Sequence, residues 1–207
     1  DGQRSMSTFL GAASLLDPDD ISQEAVQAGA VLFLEGYLFD RDEAKAAFKV
    51  ASKYAHEAGR KVSLTLSDSF CVDRHREDFL DLILNDIDVL FCNEFELQSL
   101  YQTSYEEALE QLRNDCEFGA VTRDKRGSVV INGHDLVHIE PEPVDWVVDA
   151  TGAGDQYAAG FLYGFTRGMA IEHCGRLGSM SASEVITHVG PRPLVQLSTL
   201  IPEHLRS

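Results

Sequence analysis

The chain alternates between short apolar runs and longer segments in which apolar residues recur every three or four positions. The continuous apolar run at residues 31–34 is typical of a buried parallel strand, and residues 62–66 and 89–92 are predicted as the next two strands. Helical spacing predicts a helix that begins at Asp42 as N-cap and stops at Gly59, and a second helix over 73–84. Strands that alternate with helices predict an α/β fold with a parallel sheet and helices on both faces.

Weaker patterns complete the prediction. Polar and apolar residues alternate over 4–11, which predicts a strand, and a short helix is expected over 21–28. Ser104 and Glu107 form a capping-box pattern at the start of another helix. Short strands at 119–122, 127–131 and 136–139 predict an antiparallel edge with turns at Gly127 and Asn132-Gly133, and two helices over 152–167 and 171–188 end the chain.

The most informative stretch is residues 147–155, VVDATGAGD, where an apolar segment predicted as a strand end meets two glycines and then a long apolar helix. Gly152 and Gly154 let the backbone turn sharply and leave N–H groups open at the start of the helix, where the helix dipole favours an anion. Asp155 would lie about one turn inside that helix, where a carboxylate could accept a proton from a hydroxyl that attacks a phosphate. The alternative is structural: Thr151 as N-cap, with glycines that only allow tight packing.

Composition excludes several classes of function. The 207 residues carry a formal net charge of -17, which argues against partners such as nucleic acid or an acidic membrane surface. The four cysteines form no C-x-x-C pair, no apolar run approaches the roughly 20 residues of a membrane span, and no signal peptide is recognisable. We therefore expect a cytoplasmic α/β protein.

The stretch at 149–155 resembles the D-T-x-G-A-G-D signature of the PfkB, or ribokinase-like, family of carbohydrate and nucleoside kinases. The resemblance covers nearly all of the chain but only the carboxyl-terminal part of the family's fold. It implies a single kinase domain over 1–207, a three-layer α/β/α domain with a mostly parallel sheet, without the family's amino-terminal strands and lid. We therefore expect the sequence to be part of a longer protein and to be weakly active or inactive by itself.

The resemblance also implies roles for residues that follow the predicted strands. Asn93 and Glu96 are similar to the N-x-x-E motif, which in the family helps to hold Mg²⁺ and the phosphates, although Asn at N-cap with Glu at N3 is also a capping box. Residues 122–127 resemble the T-x-G-x-x-G nucleotide loop, through Thr122 and Gly127, with Arg123 as a phosphate contact; a charged hairpin turn is the alternative.

Further residues are assigned by the same resemblance. Arg4 corresponds to an arginine that reaches the transferred phosphate, and His188, in HVGPRP, borders the adenine unless it is only a helix C-cap. Asp149 and Thr151 would offer oxygens to a monovalent cation such as K⁺, or would simply cap the glycine turn.

Together these expectations describe an ATP- and Mg²⁺-dependent kinase that phosphorylates a hydroxyl of a nucleoside or sugar. Asp155 would be the general base, and the backbone of Gly152, Ala153, Gly154 and Asp155 the anion hole. Adenosine is the first substrate expected, with ribose or fructose as alternatives, and the complete protein could form a homodimer. A nucleotide-binding protein without catalysis is the competing hypothesis, but it has no need of a carboxylate at position 155.

Overall fold

The computed structural model describes Gly2, Ser7 and residues 9–203. The chain divides into two compact units. The amino-terminal unit comprises Thr8–Val121 and Ile131–Asp135, and the carboxyl-terminal unit comprises Asp1–Ser7, Thr122–Val130 and Leu136–Ser207.

Six strands form one sheet in the order in which they follow along the chain. They are β1 (Val31–Glu35), β2 (Lys61–Thr65), β3 (Val89–Asn93), β4 (Phe118–Thr122), β5 (Ser128–Asn132) and β6 (Asp135–Ile139). The first three are parallel, with Leu34 opposite Leu64 and Leu64 opposite Leu90. The predicted parallel, apolar strands are therefore confirmed, each within one or two residues of its expected bounds.

The described residues also contain α-helices and short 3₁₀ segments. The helices are α1 (Gln23–Ala28), α2 (Asp42–Glu57), α3 (Ser69–Arg74), α4 (Arg76–Asp86), α5 (Glu94–Tyr101), α6 (Tyr105–Asp115), α7 (Ala153–Phe165) and α8 (Ile171–Val185). None of the helices over 9–203 combines the length and the apolar character that a bilayer crossing needs.

Some predicted local features are wrong. The expected helix over 73–84 is two helices, because the backbone leaves the helical region at His75, whose ring contacts Asp40 at 2.8 Å. Asp42 is the first residue of α2, and its N-cap is Arg41. Residues 147–148 form no strand, and α8 stops at Val185, three residues earlier than predicted.

Half of the predicted strand over 4–11 falls on residues outside the described part of the chain. Phe9 and Leu10 have no regular structure, and a 3₁₀ helix begins at Gly11. Ser104 caps α6 by accepting from the Glu107 amide. That bond is one half of the expected capping box.

The amino-terminal unit packs α2 against the sheet through a face of small residues. Ala47 and Ala55 of this face are fully buried, so the helix can lie close to the strands. Two ion pairs join α2 to α4: Lys45 to Asp78 at 2.6 Å and Lys49 to Asp81 at 2.7 Å. The two helices therefore lie side by side on the same face of the parallel strands, as right-handed β–α–β crossovers require.

The carboxyl-terminal unit is built around the close crossing of α7 and α8. A Cβ at Gly160 would lie 2.3 Å from the Leu177 carbonyl oxygen, so only glycine fits at this crossing. The buried hydroxyls of Tyr157 and Ser128 are 2.7 Å apart and tie α7 to β5. Helix α7 is thus held on both sides, which fixes the residues at its amino terminus.

Candidate active site

The glycine turn before α7 adopts a left-handed backbone conformation that favours glycine. Gly152 is the N-cap residue, with φ 79° and ψ 3°, in the left-handed region. A Cβ at this position would also lie 2.7 Å from Cβ of Pro191. The structural alternative, in which Thr151 is the N-cap, is therefore wrong, and Gly152 is required for both its dihedral angles and its contact.

The amide groups of this turn are not equivalent. Ala153 N–H donates to the Ala150 carbonyl at 3.2 Å, and Gln156 N–H donates to the Gly152 carbonyl at 2.9 Å. The Gly154 amide has no acceptor among the residues that the structure describes, and, apart from its chain neighbours and the backbone of its own helix, no atom lies within 4 Å of where its Cβ would be. Gly154 is therefore the most open donor at the positive end of α7.

Asp155 is the third residue of α7 and is exposed. It lies in the same helical turn as the Gly154 amide, as the sequence predicts. A helix amino terminus stabilises a carboxylate as well as an incoming anion. The role of Asp155 as a general base stays a prediction.

Asp149 holds the turn from the preceding side. Its Oδ1 accepts from Thr151 N–H at 2.9 Å and from Thr151 Oγ1–H at 2.6 Å, and its Oδ2 accepts from Gly190 N–H at 2.9 Å. These three bonds give both residues a structural role, which the sequence offered as the alternative to cation binding. The role of Asp149 and Thr151 towards K⁺ stays a prediction.

His188 lies beyond α8, whose C-cap is Ile186, so the predicted helix C-cap role is wrong. Its Nε2 is 3.4 Å from the carboxylate of Glu184, which also accepts from Leu194 N–H at 2.9 Å. Sequence reasoning missed Glu184. The available signal was its spacing of four residues from His188 on a predicted helix.

The predicted nucleotide loop lies between β4 and β5. Arg123 N–H donates to the Gly127 carbonyl at 2.8 Å, and Asp124 takes a positive φ of 54°. A Cβ at Gly127 would lie 2.0 Å from the Ile139 carbonyl oxygen, so packing against β6 already requires glycine here. The loop is thus a charged hairpin turn in form, and the nucleotide roles of Thr122, Arg123 and Gly127 stay predictions.

The second group of candidate residues belongs to the amino-terminal unit, where β3 runs into α5. Glu96 accepts from the Asn93 amide N–H at 2.9 Å and from Asn93 Nδ2 at 2.6 Å, while Asn93 Oδ1 accepts from Glu96 N–H at 2.9 Å. This reciprocal pattern is the capping box that the sequence offered as the structural alternative.

Glu96 is nevertheless unusual for a capping residue. Its side chain is buried, and burial is the main reason that its pKa rises to about 7, against a lowering by the Asn93 backbone hydrogen bond and a further rise from the charge of Asp68. Asp68 caps α3 after β2 by accepting from Cys71 N–H at 2.8 Å. Sequence reasoning missed Asp68, although it follows a predicted strand.

The predicted role of Glu96 and Asn93 towards Mg²⁺ depends on the charge and the oxygen atoms that surround Glu96. In the described part of the chain it forms no ion pair with Lys or Arg, so its ionised form has no compensating charge. Carboxylate and amide oxygens are ligands that Mg²⁺ accepts, commonly together with water. Within the described ranges, no group of three or more His, Cys, Asp or Glu residues is placed to hold a metal ion. Arg4 lies outside the described residues.

Comparisons with known proteins identify the family of the chain. The family model for pfkB family carbohydrate kinases matches residues 1–197. The chain is 33% identical over 141 residues to a cytidine kinase of Thermococcus kodakarensis, covering 64% of this chain and 49% of the relative. It is 26% identical over 203 residues to the adenosine kinase of Saccharomyces cerevisiae, covering 91% of this chain and 59% of the relative.

Solved structures give the same result for the fold. An adenosine kinase from Sinorhizobium meliloti superimposes with a TM-score of 0.94 at 46% identity, covering 97% of this chain and 62% of that one. A ribokinase of Arabidopsis thaliana, complexed with ribose and ATP, superimposes with a TM-score of 0.67 at 24% identity, covering 81% and 53%. The chain thus spans about half to three fifths of the length of these relatives. Its fold is the three-layer α/β ribokinase-like fold with a mostly parallel sheet, and the chain belongs to the pfkB family of carbohydrate kinases.

Proposed function

We propose that this chain is the nucleotide-binding and catalytic part of an ATP-dependent kinase that phosphorylates a hydroxyl group of a nucleoside or sugar. The observation that supports it most directly is the glycine turn, in which the open Gly154 amide and the carboxylate of Asp155 share the first turn of α7. The dipole of α7 that stabilises this carboxylate would also stabilise a phosphoryl group held by the Gly154 amide.

Each part of the turn has a chemical task in this proposal. Asp155 accepts the proton of the acceptor hydroxyl as the hydroxyl oxygen bonds to the γ-phosphorus of ATP, while the bond from that phosphorus to the β–γ bridging oxygen breaks and ADP leaves. The Gly154 amide, aided by the dipole of α7 and by the neighbouring amides of Ala153 and Asp155, stabilises the charge on the transferred group. Ala153 contributes less than Gly154, because its N–H also donates to Ala150 at 3.2 Å.

Asn93 and Glu96 would hold Mg²⁺, mainly through water, and the ion would neutralise phosphate charge when it is bound. The carboxylate of Glu96 is buried, so its ionised form is costly when no cation is near. A bound cation would offset that cost and favour the ionised form. ATP as donor is supported by the ATP complex of the Arabidopsis ribokinase.

Adenosine is the first acceptor we propose, because the Sinorhizobium meliloti adenosine kinase is 46% identical to this chain. The cytidine kinase of Thermococcus kodakarensis makes cytidine the next nucleoside to test. Ribose and fructose complete a short panel of acceptors.

The test is a coupled ADP-release assay on the complete protein with this panel. We expect Asp155→Asn to lower kcat by about 10²- to 10⁴-fold, because a positioned base contributes that much. Asp145→Asn is the matched control, since Asp145 is exposed, lies outside the turn and loses the same charge. Ordinary turnover by Asp155→Asn would show that Asp155 is not the base, and no turnover with any acceptor would contradict the kinase proposal itself.

A further inference from the structure

The segment from Gly190 to Leu194 has few backbone donors. Pro191 and Pro193 have no N–H, so only Gly190, Arg192 and Leu194 can donate a backbone hydrogen bond. Gly190 N–H donates to Asp149 Oδ2 and Leu194 N–H donates to Glu184 Oε1, each at 2.9 Å. Two of the three amides, the first and the last of the segment, therefore donate to carboxylates.

The same segment lies against the glycine turn. A Cβ at Gly152 would lie 2.7 Å from Cβ, 3.0 Å from Cα and 3.1 Å from the carbonyl oxygen of Pro191, so Gly152 and Pro191 are in direct backbone contact. Gln156 Nε2, one turn into α7, also donates to the Pro191 carbonyl at 3.4 Å. A displacement of Pro191 would therefore be transmitted to the start of α7.

Asp149 is adjacent to the turn and was expected from the sequence, whereas Glu184 belongs to α8. The Glu184 side chain is 10% exposed, and His188, at 3.4 Å from its carboxylate, is 14% exposed. A carboxylate this well buried is retained at a cost unless its hydrogen bonds serve the structure around it. Its two contacts, His188 and the Leu194 amide, are the two ends of residues 188–194.

We infer that Glu184 is a positioning residue: it holds residues 188–194 against Gly152 and so fixes the amide donors at the amino terminus of α7. The inference rests on the proposed kinase function, because only then do those donors meet a phosphoryl group. Glu184 touches neither substrate nor nucleotide in this scheme and acts through Pro191.

The expected kinetic effect falls on turnover. Donors that stabilise the transferred group act most strongly in the transition state, and a misplacement of about 1 Å can cost about 10²-fold. We expect Glu184→Ala to lower kcat by roughly 10- to 100-fold while KM for ATP changes less than about threefold. Glu184→Gln keeps an oxygen for the Leu194 amide and should recover most of the lost turnover.

The experiment measures kcat and KM of the complete protein for wild type, Glu184→Ala, Glu184→Gln and Glu172→Ala, together with their melting temperatures. Glu172 is an exposed glutamate in the first turn of the same helix, so its variant controls for loss of a charge on α8. Loss of turnover in Glu184→Ala, with rescue by Gln and no effect at Glu172, supports the inference.

Leu194→Pro provides a second route if Glu184→Ala does not fold. It removes the donor and leaves the carboxylate, and Leu194→Ala controls for its side chain, which is 74% exposed. We expect Leu194→Pro, but not Leu194→Ala, to reproduce the fall in kcat. If the wild type is active and Glu184→Ala or Leu194→Pro leaves kcat unchanged, the positioning role is wrong and the kinase proposal stands. An inactive wild type would overturn both.

Discussion

The buried carboxylate of Glu96 should make the stability of this protein fall as the pH rises, and Glu96→Gln should remove that dependence. The pKa of Glu96 is about 7 in the fold and near 4.5 in an unfolded chain, chiefly because burial disfavours the charged form. Since the folded pKa is the higher one, the stability that Glu96 contributes is fully present below about pH 4.5. It is lost as the pH rises through 7.

The magnitude follows from the two pKa values. Ionised Glu96 destabilises the fold by about 3 kcal/mol at pH 8 and by less than about 1 kcal/mol at pH 5. Glutamine also loses one hydrogen bond with Asn93, worth about 1 kcal/mol, at both pH values. Relative to wild type, the free energy of unfolding of Glu96→Gln should therefore rise by about 2 to 3 kcal/mol between pH 5 and pH 8.

The assay is urea unfolding followed by circular dichroism at four pH values between 5 and 8, in EDTA so that no cation binds. Glu107→Gln is the matched control, because Glu107 is also the third residue of its helix but is exposed. Its pKa is lowered, first by the Thr103 hydroxyl, so its contribution is lost only as the pH falls below this range. A difference between Glu96→Gln and wild type that is the same at every pH would refute the reasoning.

Two further changes test how α7 is held. Gly160→Ala should lower the free energy of unfolding by about 2 kcal/mol or more, because its methyl group would lie 2.3 Å from the Leu177 carbonyl oxygen. Gly154→Ala should be neutral or slightly stabilising in thermal melts, because its methyl group would meet no atom outside its own helix within 4 Å. Ser128→Ala and Tyr157→Phe should each cost about 1 to 2 kcal/mol, since each leaves a buried hydroxyl unpaired, and the double variant should cost less than their sum in a double-mutant cycle. Additive losses would contradict a direct bond between the two hydroxyls.

Much of the fold was readable from the sequence because its signals are local. The apolar runs at 31–34 and 89–92 located β1 and β3, and the alanine spacing of α2 located its buried face. The break at His75 was not readable, because it depends on Asp40, which is 35 residues away in the chain. Local sequence propensity does not indicate a contact between residues that are so far apart in the chain.

The same difference between local signals and distant contacts applies to the candidate site. Gly152, Gly154 and Asp155 were found because a strained turn and the helix it opens are contiguous in sequence. Glu184 was missed because its partner, the Leu194 amide, is a backbone group that looks the same in every sequence. Burial of Glu96 also could not be read, since a capping box at the surface and one in the interior share a single pattern.

The strand order has a consequence for how the molecule forms. Among the described residues, each strand from β2 to β6 pairs with the strand that precedes it in the chain. Each of these pairings joins strands that are close in the chain, so the entropy cost of loop closure stays moderate at each step. We expect β1, β2 and β3 to assemble while the later residues are still being synthesised.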